Sequence, residues 1–250
     1  MSGHSRWSQI KRKKGKADVQ RGKLFSKILR EITVAAKNGG GDPKANMRLK
    51  AAVESAREAN MPQENIKRAI QKGTGELPGE SYEEITYEGY APGGVAVLVQ
   101  VLTDNRNRTG PEIRRVFEKH GGHTGSAGAV AWMFERKGVI QVDAEKIGED
   151  DLLAKALDAG ATDMRRAEKA FEITTTPAEM DVVREALTKA GAPVLEAQVS
   201  FVPKSTVKVE SKDAASVLRL IEALEELDDV QSLYANYDIP DEVLEAIAAA

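Results

Sequence analysis

The chain has 250 residues, of which 41% are hydrophobic and 30% are charged, and it contains no cysteine. This composition is typical of globular proteins, and the length favours two or three domains over one. The lack of cysteine excludes disulfides, thiolate metal sites and cysteine nucleophiles. No run of residues approaches the roughly 20 apolar positions that a membrane-spanning helix needs, and the polar start lacks the apolar segment of a secretory signal. A cytoplasmic location with no membrane partner is therefore expected.

Charge is distributed unevenly along the chain, although the net charge is only −3. The first 75 residues hold 18 basic and 6 acidic side chains, a net charge of +12. The remaining 175 residues hold 18 basic and 33 acidic side chains, a net charge of −15. Such asymmetry predicts that the basic end binds a polyanion, because clustered cations are the electrostatic signature of nucleic-acid-binding domains.

Three helices are predicted in the basic part of the chain. Residues 17–37 have the apolar spacing of an amphipathic helix, with lysines and arginines on the opposite face. An Asp-Pro pair at 42–43 predicts the start of a second helix that runs to about residue 59, and a third helix is predicted over 62–72. The turn between the second and third helices fits either a DNA-reading helix-turn-helix or an ordinary antiparallel corner of a small bundle.

The spacing of apolar residues changes after the glycine-rich stretch 73–79, which predicts a linker and a domain boundary. Alternation over 84–90 and a continuous apolar run over 95–102 predict a β-hairpin. A capping box at 109–112 predicts the start of a helix, and residues 129–134 predict a further strand.

The rest of the chain predicts two βαββαβ units. Residues 138–202 form one unit by themselves. A strand at 206–209, a helix at 213–227 and a strand at 230–237 complete the other, together with the strand, helix and strand that precede the first unit. The predicted fold class is α+β multidomain: an N-terminal three-helix bundle plus two ferredoxin-like domains, one inserted into the other. The predicted boundaries are 1–78 for the basic arm and bundle, 79–136 with 205–240 for the discontinuous domain, 137–204 for the inserted domain and 241–250 for a C-terminal tail.

The candidate nucleic-acid-binding residues are basic side chains of the arm and of the exposed helix faces, with one tryptophan. Dense cations displace the counterions condensed on a polyanion, and an aromatic ring can stack on a base. The alternative is that the lysines are merely solvated and that the tryptophan anchors the arm to the bundle. The residues are Arg6, Trp7, Lys11, Arg12, Lys13, Lys14, Lys16, Arg21, Lys23, Lys27, Arg30, Lys67, Arg68 and Lys72.

Arg106 and Arg108 are further candidates, because they lie between a predicted strand and a helix N-terminus, where exposed amides favour anions. The alternative is a polar connector that Asp104 and Thr109 cap. The carboxylates over 222–229 are expected to form a solvated face instead of a magnesium or acid-base site.

No catalytic residue, metal or other cofactor is predicted. The two histidines at 120 and 123 have no cysteine and no clear carboxylate companion, whereas zinc normally needs three or four convergent ligands. An enzyme that uses the acidic part of the chain is a third hypothesis, but no recognisable catalytic constellation supports it.

Four separated motifs resemble the YebC/PmpR family, and the resemblance covers essentially the whole chain. They are GHSRWSQIK at 3–11, NIKRAI at 65–70, YEGYAPGG at 87–94 and TDNRNRT at 103–109. The chain departs from the family at GSAGAV, residues 125–130, where the family usually has a shorter Gly-Ser-Val turn.

The resemblance implies a cytoplasmic bacterial protein with a helical bundle and two α+β domains, and with no catalytic residues. It also implies DNA-binding transcriptional regulation, which is the leading hypothesis, with promoter DNA as the partner. Related proteins, including a mitochondrial translational activator, act at the ribosome. The alternative is therefore a ribosome-associated translation factor that binds ribosomal or transfer RNA.

Overall fold

The structure is a computed structural model that describes residues 17–167 and 169–249. Its N-terminal part is a bundle of three helices: α1 (Ala17–Gly39), α2 (Met47–Glu58) and α3 (Gln63–Thr74). Both α2 and α3 pack against α1. Their shared core consists of the apolar positions at helical spacing, among them Ile32, Leu49 and Ile66, so the amphipathic pattern places each helix correctly.

The start of α2 differs from the expectation. Asp42 and Pro43 belong to a turn in which the Asp42 carboxylate accepts a hydrogen bond from the Lys44 amide at 2.9 Å. The cap of α2 is Asn46, whose side-chain oxygen accepts from the Leu49 amide at 3.1 Å. The Asn46 side-chain nitrogen donates to the carbonyl oxygen of Ala35 at 2.7 Å. Asn46 therefore joins α1 to α2, a contact that no local capping signal contains.

The first sheet has four strands in the order β3-β1-β2-β9, and each neighbouring pair is antiparallel. The strands are β1 (Glu83–Ala91), β2 (Val95–Thr103), β3 (His123–Thr124) and β9 (Val230–Ala235). Helices α4 (Arg106–Lys119) and α7 (Ser211–Glu225) cover one face of this sheet.

β2 is buried on both faces, as its continuous apolar sequence predicts. Val97 and Val99 face the core under α4 and α7. Ala96 and Leu98 point the other way, toward Phe134. The hairpin between β1 and β2 is closed by residues 92–94, where Gly93 has a φ of 75° and Gly94 a φ of 77°. These left-handed conformations favour glycine, so the predicted turn chemistry is correct.

The second sheet is formed by a contiguous stretch with the element order strand, helix, strand, strand, helix, strand. The strands are antiparallel in the order β5-β6-β4-β7, as the predicted βαββαβ plan requires. In sequence, all four lie between β3 and β9. The elements are β4 (Phe134–Asp143), α5 (Glu149–Asp158), β5 (Asp163–Ala167), β6 (Ala170–Thr175), α6 (Met180–Lys189) and β7 (Val194–Pro203).

Two of the strands predicted for the first sheet do not form there. Residues 129–134 were expected to be a strand, but a 3-10 helix occupies Ala131–Met133, and β4 begins at Phe134 in the second sheet. The segment expected at 206–209 forms only β8 (Val207–Lys208), which pairs in parallel with β10 (Tyr237–Asp238) outside both larger sheets. The position beside β2 is taken by β1. The two strands are joined by a short hairpin, so they pair without the entropic cost of closing a long loop.

The last ten residues were expected to form a tail. Instead, α8 (Asp241–Ala249) packs its Leu244 into the core of the first sheet. Among the helices in the described ranges, none is long and apolar enough to cross a membrane.

Candidate nucleic-acid interface

A groove of about 400 Å³ lies between α1 and α3 and is open to solvent. It exists because the two helices cross closely at Gly73, where an added Cβ atom would lie only 2.4 Å from the Thr33 carbonyl oxygen. Beyond this crossing the longer side chains of both helices line the walls. The groove is lined by Ser26, Leu29, Arg30, Thr33, Asn65, Arg68, Ala69, Lys72, Glu80 and Tyr82.

Arg68 and Lys72 are the free cations of the groove. They are four residues apart on α3, so they project from the same face of the helix. Both side chains are exposed, and within the described part of the chain neither has a hydrogen-bond or ion-pair partner. Lys67 is also exposed and unpaired among these residues, but it does not line the groove.

Arg30 lies on the opposite wall of the groove, and part of its charge is already neutralised. Its guanidinium donates to the Asp228 carbonyl oxygen and lies 3.4 Å from the Asp229 carboxylate. It also stacks over the ring of Tyr82, with 5.8 Å to the ring centroid. Arg30 therefore belongs both to the groove and to the contact between the helical bundle and the first sheet.

Lys23 and Lys27 also contact the first sheet's helix α7. Their ammonium groups donate to the main-chain oxygens of Glu226 and Glu225, each at 3.1 Å. These oxygens lie at the C-terminal end of α7, where free carbonyl groups and the helix dipole favour cations. Burial lowers the pKa of Lys27 from its ordinary value. The two lysines and Arg30 are three of the predicted nucleic-acid-binding residues, and here they hold the bundle against α7.

Arg108 is paired within the protein as well. Its guanidinium donates to Asp104 at 2.8 Å and to Asp229 at 2.7 Å. The helix N-terminus at this loop is capped by the Asn105 side chain, which accepts from the Arg108 amide at 3.1 Å. The expected caps Asp104 and Thr109 have other roles, since Thr109 lies inside α4 and donates to Asp229 at 2.6 Å.

Asp229 was expected on a solvated face but is buried. Burial by itself raises the pKa of its carboxyl group, but hydrogen bonds from Thr109 and Arg108 outweigh it and hold the pKa below its ordinary value. The residue is a node that joins α4 and β2 to the end of α7, and Arg30 connects it to the bundle.

A second cleft, of about 620 Å³, surrounds this node. Its charged lining contains six carboxylates and three cations, so acidic side chains predominate in it, unlike in the α1–α3 groove. The charged residues are Lys23, Arg30, Glu80, Asp104, Arg108, Glu112, Glu226, Asp228 and Asp229. Arg106, the other arginine predicted at this loop, is exposed and does not line the cleft.

The structure does not bring all the predicted residues together: Lys23 and Lys27 lie at the end of α7, Arg108 at Asp229, and Lys67 and Arg106 outside both clefts. Arg30, Arg68 and Lys72 come together in the groove. Arg21 is exposed at the beginning of α1, stacked over Phe25 with 5.5 Å to the ring centroid. The arm residues Arg6, Trp7, Lys11, Arg12, Lys13, Lys14 and Lys16 lie outside the described residues.

Five polar residues of the groove were missed by the sequence interpretation: Ser26, Thr33, Asn65, Glu80 and Tyr82. Asn65 lies one helical turn before Arg68, so helical spacing alone could have found it. Ser26 likewise lies one turn before Arg30 on α1. Tyr82 follows the linker, and no local pattern places it beside Arg30.

Two family profiles match the chain and cover most of its length. One is described as the TACO1/YebC protein N-terminal domain and matches residues 5–76. The other is described as the TACO1/YebC second and third domain and matches residues 82–237.

Relatives and a solved structure agree with these matches. A "Probable transcriptional regulatory protein" of Pelotomaculum thermopropionicum is 57% identical over 243 residues, which cover 96% of this chain and 100% of the relative. A protein of the same description from Dictyoglomus turgidum is 54% identical over 249 residues, covering 99% and 100%. The crystal structure of a conserved hypothetical protein from Aquifex aeolicus is 54% identical with a TM-score of 0.84, covering 92% of this chain and 95% of that one.

Proposed function

Since this chain belongs to the TACO1/YebC family, we propose that it is a nucleic-acid-binding regulatory protein with promoter DNA as its partner. The observation that carries the proposal is the pair Arg68 and Lys72, exposed in the α1–α3 groove and without a carboxylate partner in the described residues. The names of the curated relatives describe probable transcriptional regulators and not enzymes.

The groove and the basic arm act together on the phosphate backbone. Arg68 and Lys72 each neutralise one phosphate, Asn65 and Ser26 supply neutral hydrogen-bonding groups beside them, and the cations of residues 6–16 extend the contact along the strand. Such contacts position a protein on nucleic acid and release counterions, but they carry no sequence information. Selectivity for particular promoters therefore needs groups other than these cations.

The test compares two double variants of the full chain that remove the same charges. Arg68→Ala with Lys72→Ala removes the free cations of the groove. Lys44→Ala with Arg57→Ala removes one lysine and one arginine that are exposed in the same bundle but do not line the groove. Fluorescence anisotropy with a labelled 30-base-pair DNA measures the affinity of each variant over a series of salt concentrations.

The groove variant is expected to bind at least about tenfold more weakly than the wild type, since hydrogen bonds to charged groups contribute roughly 1.5–3 kcal/mol. Its slope of log K against log salt should fall by about 1.8, as expected for two lost phosphate contacts. The control variant should keep both quantities. Equal affinities of the two variants would contradict the role of the groove.

The same assay separates the two candidate polyanions. A structured RNA of equal length replaces the DNA duplex at each salt concentration. The proposal expects tighter binding to DNA. Tighter binding to RNA, with the same loss in the groove variant, would instead favour a translation factor that binds ribosomal or transfer RNA through the same cations.

A further inference from the structure

Trp132 has an exposed side chain on the loop between β3 and β4. Its exposed fraction is 64%, and among the tryptophan, tyrosine and phenylalanine residues of the described ranges it alone is exposed. Exposed tryptophan is uncommon in proteins and is enriched where a partner binds, because the indole offers a large apolar face. Nothing in the groove described above uses this residue.

The indole of Trp132 is held in one orientation. Its ring nitrogen donates to the Ala129 carbonyl oxygen at 3.1 Å, and the Tyr90 hydroxyl donates to the same oxygen at 3.1 Å. The loop itself is tethered by the buried Glu88 carboxylate, which accepts from the amides of Gly128, Val130 and Ala131. A ring fixed in this way loses little conformational entropy when a partner covers it.

The chain segment that contains Trp132 has no carboxylate of its own. Residues 119–134 contain no aspartate or glutamate, although the chain beyond residue 75 has a net charge of −15. The Lys204 amide donates to the Met133 carbonyl oxygen at 2.9 Å, so this lysine is next to the tryptophan loop. Lys204 and Arg136 are exposed and have no carboxylate partner among the described residues.

The nearby carboxylates are already engaged. Glu135 forms an ion pair with Lys137 at 3.3 Å, and Glu88 is occupied by the loop amides. An uncovered indole on a loop that contacts the main chain of Lys204 is complementary to a flat ring attached to a phosphate chain.

We propose that Trp132 is a stacking platform for an unpaired base of single-stranded nucleic acid, with Lys204 and Arg136 contacting the adjacent phosphates. This stacking platform rests on the proposed function, because the chain must bind nucleic acid. It goes further, because it requires a base that is not stacked in a duplex. Bases inside a duplex are already stacked and do not offer a face to the indole. Single-stranded DNA and RNA share this chemistry.

The chain contains two tryptophans, so one substitution makes Trp132 its own reporter. Trp7→Phe keeps an aromatic ring in the arm and leaves Trp132 as the only source of indole fluorescence. The full-length variant is titrated with a labelled 12-nucleotide oligo(dT), with oligo(U), and with a chain of the same length in which every base is absent. Label anisotropy reports binding, and indole emission reports stacking in the same sample.

Saturable quenching of Trp132 is expected with oligo(dT) and oligo(U), in step with the anisotropy. The abasic chain and a blunt duplex are expected to bind without quenching. Trp132→Ala in the otherwise unchanged chain should weaken oligo(dT) binding by about 5- to 150-fold, the range for one stacked base, and Trp132→Phe should restore most of it. Lys204→Ala with Arg136→Ala should lower the salt slope for oligo(dT).

The two proposals fail in different ways. Oligo(dT) binding with unchanged indole emission, and equal affinity of Trp132→Ala and the wild type, would overturn the platform and leave the groove in place. A chain that binds none of these nucleic acids contradicts the proposed function as well.

Discussion

The charge of Glu88 orders the loop that precedes β4. Its side chain is buried, and the carboxylate accepts hydrogen bonds from the Gly128, Val130 and Ala131 amides at 2.6, 2.7 and 2.8 Å. Burial alone would raise its pKa, but the three amide donors outweigh burial and hold the pKa below the ordinary value of 4.5. The charged form is therefore favoured in the folded protein.

Replacing Glu88 by Gln is expected to lower the free energy of unfolding at pH 7 by about 1–3 kcal/mol, because one acceptor is lost and an amide donor faces backbone donors. Since the folded pKa is depressed, the carboxylate's contribution is complete above the unfolded pKa near 4.5 and is lost as pH falls through the folded pKa. The difference between wild type and variant, measured by urea unfolding, should shrink as the pH falls below 4.5.

Glu83→Gln is the matched control, since Glu83 lies on the same strand with an exposed side chain. It should change the free energy of unfolding by less than about 0.5 kcal/mol at every pH. A Glu88→Gln difference that stays constant between pH 3 and pH 7 would show that the charge of Glu88 is not what tethers the loop.

Single residues were the hardest to predict from the sequence. Glu88 lies within an alternating strand, and nothing in that pattern shows that amides forty positions later converge on it. Asp229 was placed on a solvated face because it follows four other carboxylates, yet Thr109 and Arg108 donate to it across 120 positions. The tertiary partner decides the role of a buried charge, and one sequence does not contain that information.

At the scale of secondary-structure elements, alanine substitutions at two helical glycines are expected to change stability in opposite directions. Gly73 in α3 lies against the backbone of α1, where an added Cβ would be 2.4 Å from the Thr33 oxygen and 2.7 Å from the Ala36 Cβ. Gly22 in α1 has no atom of the described residues within 4 Å of such a Cβ. Neither glycine has a positive φ, so alanine fits the backbone of both.

Gly22→Ala is expected to stabilise the chain by about 0.5–1 kcal/mol through higher helix propensity. Gly73→Ala gains the same propensity but must separate α1 from α3, and overpacking should leave it about 1–3 kcal/mol less stable than the wild type. Thermal and urea unfolding of both variants measure whether each substitution raises or lowers the free energy of unfolding. A stabilising Gly73→Ala would mean that the helices do not cross as closely as the groove requires.

Helices were predicted well and strand partners less well, for a physical reason. The apolar spacing of α1, α3 and α7 is local, so their faces could be assigned within a few residues. A β-strand is stabilised by hydrogen bonds to a neighbouring strand, and the local sequence does not show which segment that neighbour is. Residues 129–134 have a strand-like composition, but the Glu88 carboxylate captures the amides of Val130 and Ala131. The groove's cations were predicted, whereas the crossing at Gly73 that forms its wall was not.

At the scale of the whole molecule, cations of α1 connect the bundle to the first sheet. Lys23, Lys27 and Arg30 donate to main-chain oxygens within residues 225–228, at and just beyond the end of α7, and Arg30 also approaches Asp229. The sequence predicted these residues to bind phosphate, and a lysine or arginine suits a phosphate and a helix C-terminus equally well. Cations spaced along one helix face therefore identify an anionic partner without telling whether it belongs to the same chain.

The two sets of cations should separate in experiment. Lys27→Met keeps most of the aliphatic stem but removes the hydrogen bond to α7, and Arg30→Ala removes the link to Asp228 and Asp229. Residues 73–83 contain no lysine or arginine but contain Glu76, Glu80 and Glu83, so a glutamyl endopeptidase probes the linker between bundle and sheet. These glutamates are exposed, but the linker is held in place where Lys37 donates to Ser81 at 2.7 Å. Opening of the contact frees the linker to adopt the extended conformation that a protease cleaves, and cleavage follows the open population when opening is fast.

Linker cleavage should be about tenfold faster in Lys27→Met and in Arg30→Ala, because a lost hydrogen bond to a charged group is worth roughly 1.5–3 kcal/mol. Arg21→Ala, on the same helix but without contact to α7, should match the wild type, and so should the groove variant Arg68→Ala with Lys72→Ala. The groove variant should instead lose DNA affinity. Lys27→Met should largely keep it, because in the wild type the Lys27 ammonium already donates to α7. If Lys27→Met lost DNA affinity as strongly as the groove variant while its linker stayed protected, the lysine would be a phosphate contact, and the bundle would be held to the sheet by other groups.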